Sequence, residues 1–414
     1  MKKKIFVVGP VLSQSGYGEQ ARHALRALKS REEDLFEIFI QPIPWGQTGW
    51  VWENSEFRQW MDTRIAITAA KARENKLTPD VSLQITIPNE FKKIAPINIG
   101  YTAGIETNKV APVWLQNGNE MDKILVVSNH AKETYTNTVY EAKNNQTGEV
   151  FPYSLNTPVE VVWEKTERAE PEPIEQLDLP YDFNFIMVSQ LSPRKNTVNA
   201  IKWWVEEFID QEVGLIVKGN VKCNSEMDCH HFNNYLKGLL AQYPDRKCKV
   251  HILHGDLSAG QMTGLYNHPK VKAIINISHG EGFGLPLYEA AREGLPVVTI
   301  GWSGQLDFLS HEGKNYFQEV EFTVQPVGPD AVWDGVIQAE SMWAYADQGS
   351  YKMALRKTHK KWHKAKETAE KLKTIIEDRF SDEKLNKLFC DHFYDEEEEN
   401  LELWLDSFNL EEHE

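Results

Sequence analysis

The segment His279-Gly280-Glu281-Gly282-Phe283-Gly284-Leu285-Pro286-Leu287-Tyr288-Glu289 holds the residue types best spaced for chemistry. A buried strand over residues 273–277 leads into it. The glycines form a loop, and Pro286 stands where the first helical turn tolerates a missing N–H. The N–H groups of Gly284, Leu285 and Leu287 then point into the adjoining cleft, and a helix N-terminus with its dipole attracts anions. Glu281 and Glu289 bracket that pocket. A carboxylate repels phosphate but binds hydroxyls. Two of them around an anion pocket therefore suit a nucleotide sugar, with Glu289 on the ribose and Glu281 on the sugar.

Other candidates stand around this segment. Arg194-Lys195 sits in the loop 192–196, ahead of a helix over 197–209. His279 and Asp307 rank below Glu281 as cleft groups. Trp302 reads equally as a stacking surface or as core. Glu106 reads as a loop residue more than as a cleft residue. Trp45, Trp50, Trp52 and Trp60 read as a packed aromatic loop more readily than as a carbohydrate platform. Cys223, Cys229, His230, His231, Cys248, His251 and His254 lack the spacing of a zinc site, so no metal is expected.

The elements that must position these groups alternate. The apolar run 5–8, closed by Gly9-Pro10, suits a strand buried on both faces. A small-residue loop over 13–18 and a helix over 19–29 follow. Further strands are expected at 81–87, 97–102, 123–127 and 159–163, with a helix over 130–140 capped by Ser128-Asn129. The proline-rich, acidic stretch 164–180 reads as a linker. A second series then runs through strands at 183–188, 213–217, 250–253, 273–277 and 296–300, and through helices at 197–209, 233–241, 259–266 and 286–292. A Lys-rich helix is expected over 353–379. Alternation of this kind predicts an α/β protein of two Rossmann-like, doubly wound domains facing a cleft.

Composition bounds the function. The 414 residues, at ~150 per domain, allow two to three domains. Lys plus Arg number 45 against 61 Asp plus Glu, a net charge of −16, which disfavours a protein built to grip bare nucleic acid. The basic stretch 352–373 with Trp362 is the one local exception weighed. Four cysteines make no disulfide framework. The first apolar run is too short for a signal peptide, and no membrane span is expected, so a cytoplasmic setting is expected.

Glu281 to Glu289 resembles the E-x7-E motif of retaining glycosyltransferases of the GT-B fold, especially family 4 (glycosyl transferases group 1). Ala290-Ala291-Arg292-Glu293-Gly294-Leu295-Pro296-Val297-Val298 is similar to the family's continuation. The likeness covers roughly residues 182–317, and more weakly 15–18 and 122–135. It implies an N-terminal acceptor domain (1–165), a linker (166–180), a donor domain (181–375) and an acidic helical tail (376–414), with a C-terminal helix crossing back to the N-terminal domain. Arg194 and Lys195 would neutralise the leaving diphosphate. Glu289 would hold the ribose, and Glu281 with the backbone of Gly282, Phe283 and Gly284 the sugar. Leu285 would open the anion-binding helix. Gly16 and Gly18 would admit the donor phosphate and the acceptor, and Lys218 marks the next strand end.

The implied reaction moves a hexose-type sugar from a UDP- or GDP-sugar to a hydroxyl of a carbohydrate or other acceptor, with retention and without a metal or other cofactor. Two departures stand out: Gln190 occupies the place of a frequent arginine, and residues 99–106 lack the family's frequent histidine. A phage-type transferase acting on hydroxymethylated DNA bases, a sugar-nucleotide epimerase, and a non-catalytic sugar-nucleotide binder are the alternatives.

Overall fold

The structure is a computed structural model and describes residues 2–175 and 177–394. Most of the acidic tail, Trp404 included, lies outside the described residues.

Two six-stranded parallel sheets form the two halves. In the first the strand order is Phe36–Pro42, Lys3–Gly9, Val81–Ile85, Ile97–Thr102, Lys123–Val126, Val159–Val161. In the second it is Lys249–His254, Gly214–Gly219, Asn184–Val188, Val271–Asn276, Val297–Ile300, Gln318–Val320. The central strands are continuous apolar runs because helices cover both faces, and Ile5, Val7, Leu83, Leu215, Ile216 and Val298 are fully buried. In each sheet the order reverses beside the first strand, which opens a crevice at the strands' carboxyl ends. The two crevices face one another. Among the described residues, 162–183 carry no helix or strand and join the halves.

Several expected boundaries move. The first helix is Gly16–Lys29 and starts ahead of Glu19, because the Ser15 hydroxyl caps it by accepting from the Gly18 N–H at 3.1 Å. The helix expected from 233 runs Glu226–Leu240, with Ser225 as its cap. The Lys-rich helix is two, Gln348–Lys360 and Trp362–Arg379, broken at Lys361. The helix expected to 140 ends at Asn137, and Val139–Lys143 pairs with Val150–Ser154 as an antiparallel hairpin. The strand Phe36–Pro42 and the helix Glu56–Arg73 were not expected. That helix buries only Met61 and Thr68, so it shows no apolar stripe.

The chain does cross back. Trp362–Arg379 packs on Leu285–Arg292 of the second half through Leu372 and Ile376. Asp382–Cys390 then packs on Gly16–Lys29 of the first half. There Phe389 is fully buried, 5.6 Å from the Tyr101 ring, and Cys390 Sγ lies 3.2 Å from the Ala27 carbonyl. The expected boundary at 375/376 thus falls inside a helix.

Among the described residues no helix is long and apolar enough to cross a membrane. The basic stretch 352–373 is neutralised in part. Lys352 pairs with Glu206 and Arg356 with Glu207, both at 2.6 Å, and the Trp362 indole donates to the Lys272 carbonyl.

Candidate active site

Arg194 and Lys195 reach the cleft because their loop is stitched to the end of a neighbouring strand. The His279 N–H donates to the Arg194 carbonyl at 2.8 Å, and the Asn196 amide donates to the Ile277 carbonyl at 3.2 Å. Asn196 caps the helix Thr197–Phe208 in the left-handed region (φ 50°), which asparagine tolerates better than most residues. The turn throws both cations toward the glycine loop.

There they meet Glu281. Lys195 Nζ lies 2.7 Å from each carboxylate oxygen, Arg194 Nη1 lies 3.3 Å from Oε2, and the Asn276 amide donates to Oε1 at 3.0 Å. Arg194 also donates to the Gly280 carbonyl at 2.8 Å and lies 3.1 Å from Glu106 of the first half. Two cations and two carboxylates therefore close a neutral cluster across the cleft. Burial pushes the Glu281 carboxyl up, but Lys195 and Arg194 outweigh it and hold the group at about 2. Lys195 moves downward, because burial and the adjacent Arg194 outweigh its attraction to Glu281.

The glycine loop is held against the first half. A Cβ on Gly280 would come within 2.2 Å of the Glu106 carbonyl, so no larger residue fits without parting the halves. The Gly282 carbonyl accepts from Ser128 Oγ at 2.6 Å, and the Glu281 N–H donates to Ser303 Oγ at 2.9 Å. Gly284 takes φ 97° and caps Leu285–Arg292.

One expectation about this loop is corrected. Leu287 does not offer its N–H to the cleft, because that group donates to the Gly284 carbonyl at 2.9 Å. The site role expected of Phe283 is that of its backbone, and its side chain lies elsewhere. It is buried in the core beside Phe308, Tyr288 and Phe380, so only its backbone remains for a site role.

Glu289 lies one turn further along the helix, and its Oε2 accepts from the Tyr266 hydroxyl at 3.0 Å. Burial raises its carboxyl, opposed by Arg292 and the Tyr266 bond. It lines a cavity of about 420 Å³ with Glu19, Trp50, Trp52, Asp256 and Tyr266. Lys218 is half-buried, and burial lowers it against the attraction of Asp256 and Glu289. Its ammonium makes no hydrogen bond or ion pair among the described residues. Gly16 is exposed with open space where a Cβ would stand, whereas a Cβ on Gly18 would come within 2.0 Å of the Ser13 carbonyl. Gly16 can border a ligand. Gly18 serves the packing of its own turn.

The lower-ranked candidates make contacts within and between the halves. Asp307 Oδ2 accepts from the Asn129 N–H and side-chain amide, both at 2.9 Å, and from the Trp163 indole at 2.8 Å, tying the halves together. His279 stacks on Trp343 with its Nδ1 2.7 Å from the Ala344 carbonyl, and burial lowers its basicity. Trp302 lies between the halves with its ring against His130. Gln190, in the place of the family's arginine, is exposed and donates to the Val221 carbonyl. Among the described residues no group of three or more His, Cys, Asp or Glu could hold a metal ion.

Sequence reasoning underrated Glu106 and missed Asn276, Ser303 and Tyr266. The only available signal for Glu106 was its place just past a strand end. The other three are contacts made by folding.

No family model matches the chain. A stretch of 116 residues is 31% identical to the serotype-specific mannosyltransferase WbdA of Escherichia coli. The match covers 28% of this chain and 13% of that protein, so the chain spans only a small part of that relative's length. Among solved structures, Anabaena Alr3699/HepE in complex with UDP-glucose superposes with a TM-score of 0.59 at 13% identity, over 94% of this chain and 99% of that one. Sucrose-phosphate synthase (tll1590) from Thermosynechococcus elongatus superposes with a TM-score of 0.62 at 13% identity, over 95% and 98%. The chain has the GT-B fold. Within that fold it resembles the glycosyltransferases of family 4, through the Glu281–Glu289 motif and its setting.

Proposed function

We propose that the chain is a retaining glycosyltransferase that moves a hexose from a nucleotide-diphosphate sugar, UDP- or GDP-linked, to a hydroxyl of a carbohydrate or other acceptor, without a metal ion. One observation carries the reading. Two cations, Arg194 and Lys195, converge at the interdomain cleft on a carboxylate of the glycine loop, with Glu289 one helix turn beyond.

A departing diphosphate gathers negative charge. Lys195, Arg194 and the unpaired Lys218 are placed to meet it, and the helix N-terminus adds its dipole. An arriving phosphate competes with Glu281 for the two cations, which frees Glu281 to accept from sugar hydroxyls. Glu281 is ionised and paired, so it is an acceptor of hydrogen bonds and not a proton donor. In a front-face displacement the anomeric carbon–phosphate bond breaks and the bond to the acceptor oxygen forms on the same face. The acceptor's proton passes to the leaving phosphate oxygen, and no protein nucleophile is used.

The similarity to the E. coli mannosyltransferase and the UDP-glucose complex of the Anabaena protein support a nucleotide-sugar donor. The test is nucleotide release from a panel of UDP-, GDP- and ADP-sugars, with Lys195→Ala as control. Release from one donor, abolished in the variant, is the expected result. No release with any donor, with candidate sugars or hydroxymethylated DNA added, overturns the transferase reading.

A further inference from the structure

The loop between Phe36–Pro42 and Glu56–Arg73 leaves two indoles in solvent on a backbone that is well held. Trp50 is 65% exposed and Trp52 95%. Yet Ser13 and Trp50 form an antiparallel bridge, the Val51 N–H donates to the Leu12 carbonyl at 2.8 Å, and the Gln14 N–H donates to the Gly49 carbonyl at 2.8 Å. The Ser13 and Thr48 hydroxyls lie 2.6 Å apart. The other tryptophans of this region are accounted for: Trp45 packs on Tyr17, and Trp60 stacks on Phe57 and donates to Glu32. Two large apolar rings held out on an anchored loop mark a contact surface.

Their position says what they contact. Trp50 and Trp52 line the cavity that contains Glu289, and across it stand Asp256, Leu257, Met262 and Tyr266 of the second half. A Cβ on Gly49 would lie 3.5 Å from the Asp256 carboxylate, so the loop already spans the cleft. Glu281, Lys195, Arg194 and Glu106 do not line this cavity. With the sugar and phosphates at that charged cluster and the ribose at Glu289, the part of a donor that extends furthest is the nucleobase. An acceptor must reach the anomeric carbon at Glu281 and is therefore held at the other end. Apolar rings from the first half, Leu257 and Met262 from the second, and the polar Asn224, Asp256 and Ser258 in the same lining suit a flat heterocycle with polar edges.

We propose that Trp50 and Trp52 of the N-terminal half cover the nucleobase of the donor, so that both halves share base recognition. This rests on the nucleotide-sugar reading above. The test is calorimetric titration of the full chain with UDP, GDP, ADP and inorganic pyrophosphate. The variants are Trp50→Ala/Trp52→Ala, the matching double Phe variant, and Glu289→Ala. The double Ala variant should lose about tenfold or more in affinity for the nucleotide that the unmodified chain binds, the Phe variant should regain most of it, and pyrophosphate affinity should be unchanged. Unchanged nucleotide affinity in the double Ala variant, with Glu289→Ala still weakened, overturns this inference alone. So does an equal loss for pyrophosphate. No nucleotide bound by the unmodified chain would instead overturn the nucleotide-sugar reading itself.

Discussion

Lys195 Nζ sits 2.7 Å from both carboxylate oxygens of Glu281, so the two charges neutralise each other. The pair makes Lys195 a group whose removal has two effects. It takes away leaving-group stabilisation and leaves a buried carboxylate short of a partner. Lys195→Ala should lower kcat about a hundredfold or more in the nucleotide-release assay. Unchanged turnover would place the phosphates elsewhere.

Glu281 and Glu289 should separate kinetically. Glu289→Ala should raise the donor KM by about ten- to a hundredfold, as loss of a charged hydrogen-bond acceptor does. Glu281→Ala should act mainly on kcat. Steady-state kinetics with one donor decides it, and equal small effects on both would refute the division of roles.

The two glycines of the first turn should differ in kind. Gly16 faces open space, so Gly16→Ala should leave thermal stability within about 1 kcal/mol while weakening donor binding. Gly18 abuts the Ser13 carbonyl, so Gly18→Ala should cost roughly 1–3 kcal/mol. Paired melting and KM measurements test this.

Glu164 gives a pH signature. It is buried with Oε2 lacking a hydrogen-bond partner, and burial, helped by Glu19, raises it to about 8. The folded chain holds a proton there that the unfolded chain releases near its ordinary carboxylate pKa. Stability from this group is therefore full at low pH and falls as pH rises to about 8. Glu164→Gln should lose that slope and exceed the unmodified chain in unfolding free energy at pH 8, by at most about 4 kcal/mol, with a correspondingly higher Tm. A Tm–pH profile identical to the unmodified chain would show that the group is ionised in the fold.

The returning helix should stabilise the first half. Phe389→Ala opens a cavity between Tyr101 and His23 and should cost about 3–5 kcal/mol in urea unfolding. A change under 1 kcal/mol would mean that Asp382–Cys390 is not part of that core.

The sequence by itself determined the two α/β series, their meeting at a cleft and the Glu281–Glu289 motif. These depend on local patterning: apolar runs for strands buried on both faces, glycines before Pro286, and carboxylates at fixed spacing. Element starts shifted where one side chain decided them, as Ser15 and Ser225 did by capping helices early. Only the tertiary structure decided which charges meet. Arg194 and Lys195 meet Glu281 because the strands before their loops, Asn184–Val188 and Val271–Asn276, lie side by side in the second sheet, and the facing of the two sheets adds Glu106. The same facing turned Asp307 into a tie between the halves. It also set Trp50 and Trp52 opposite Asp256, because a ring's exposure depends on what the rest of the chain leaves uncovered.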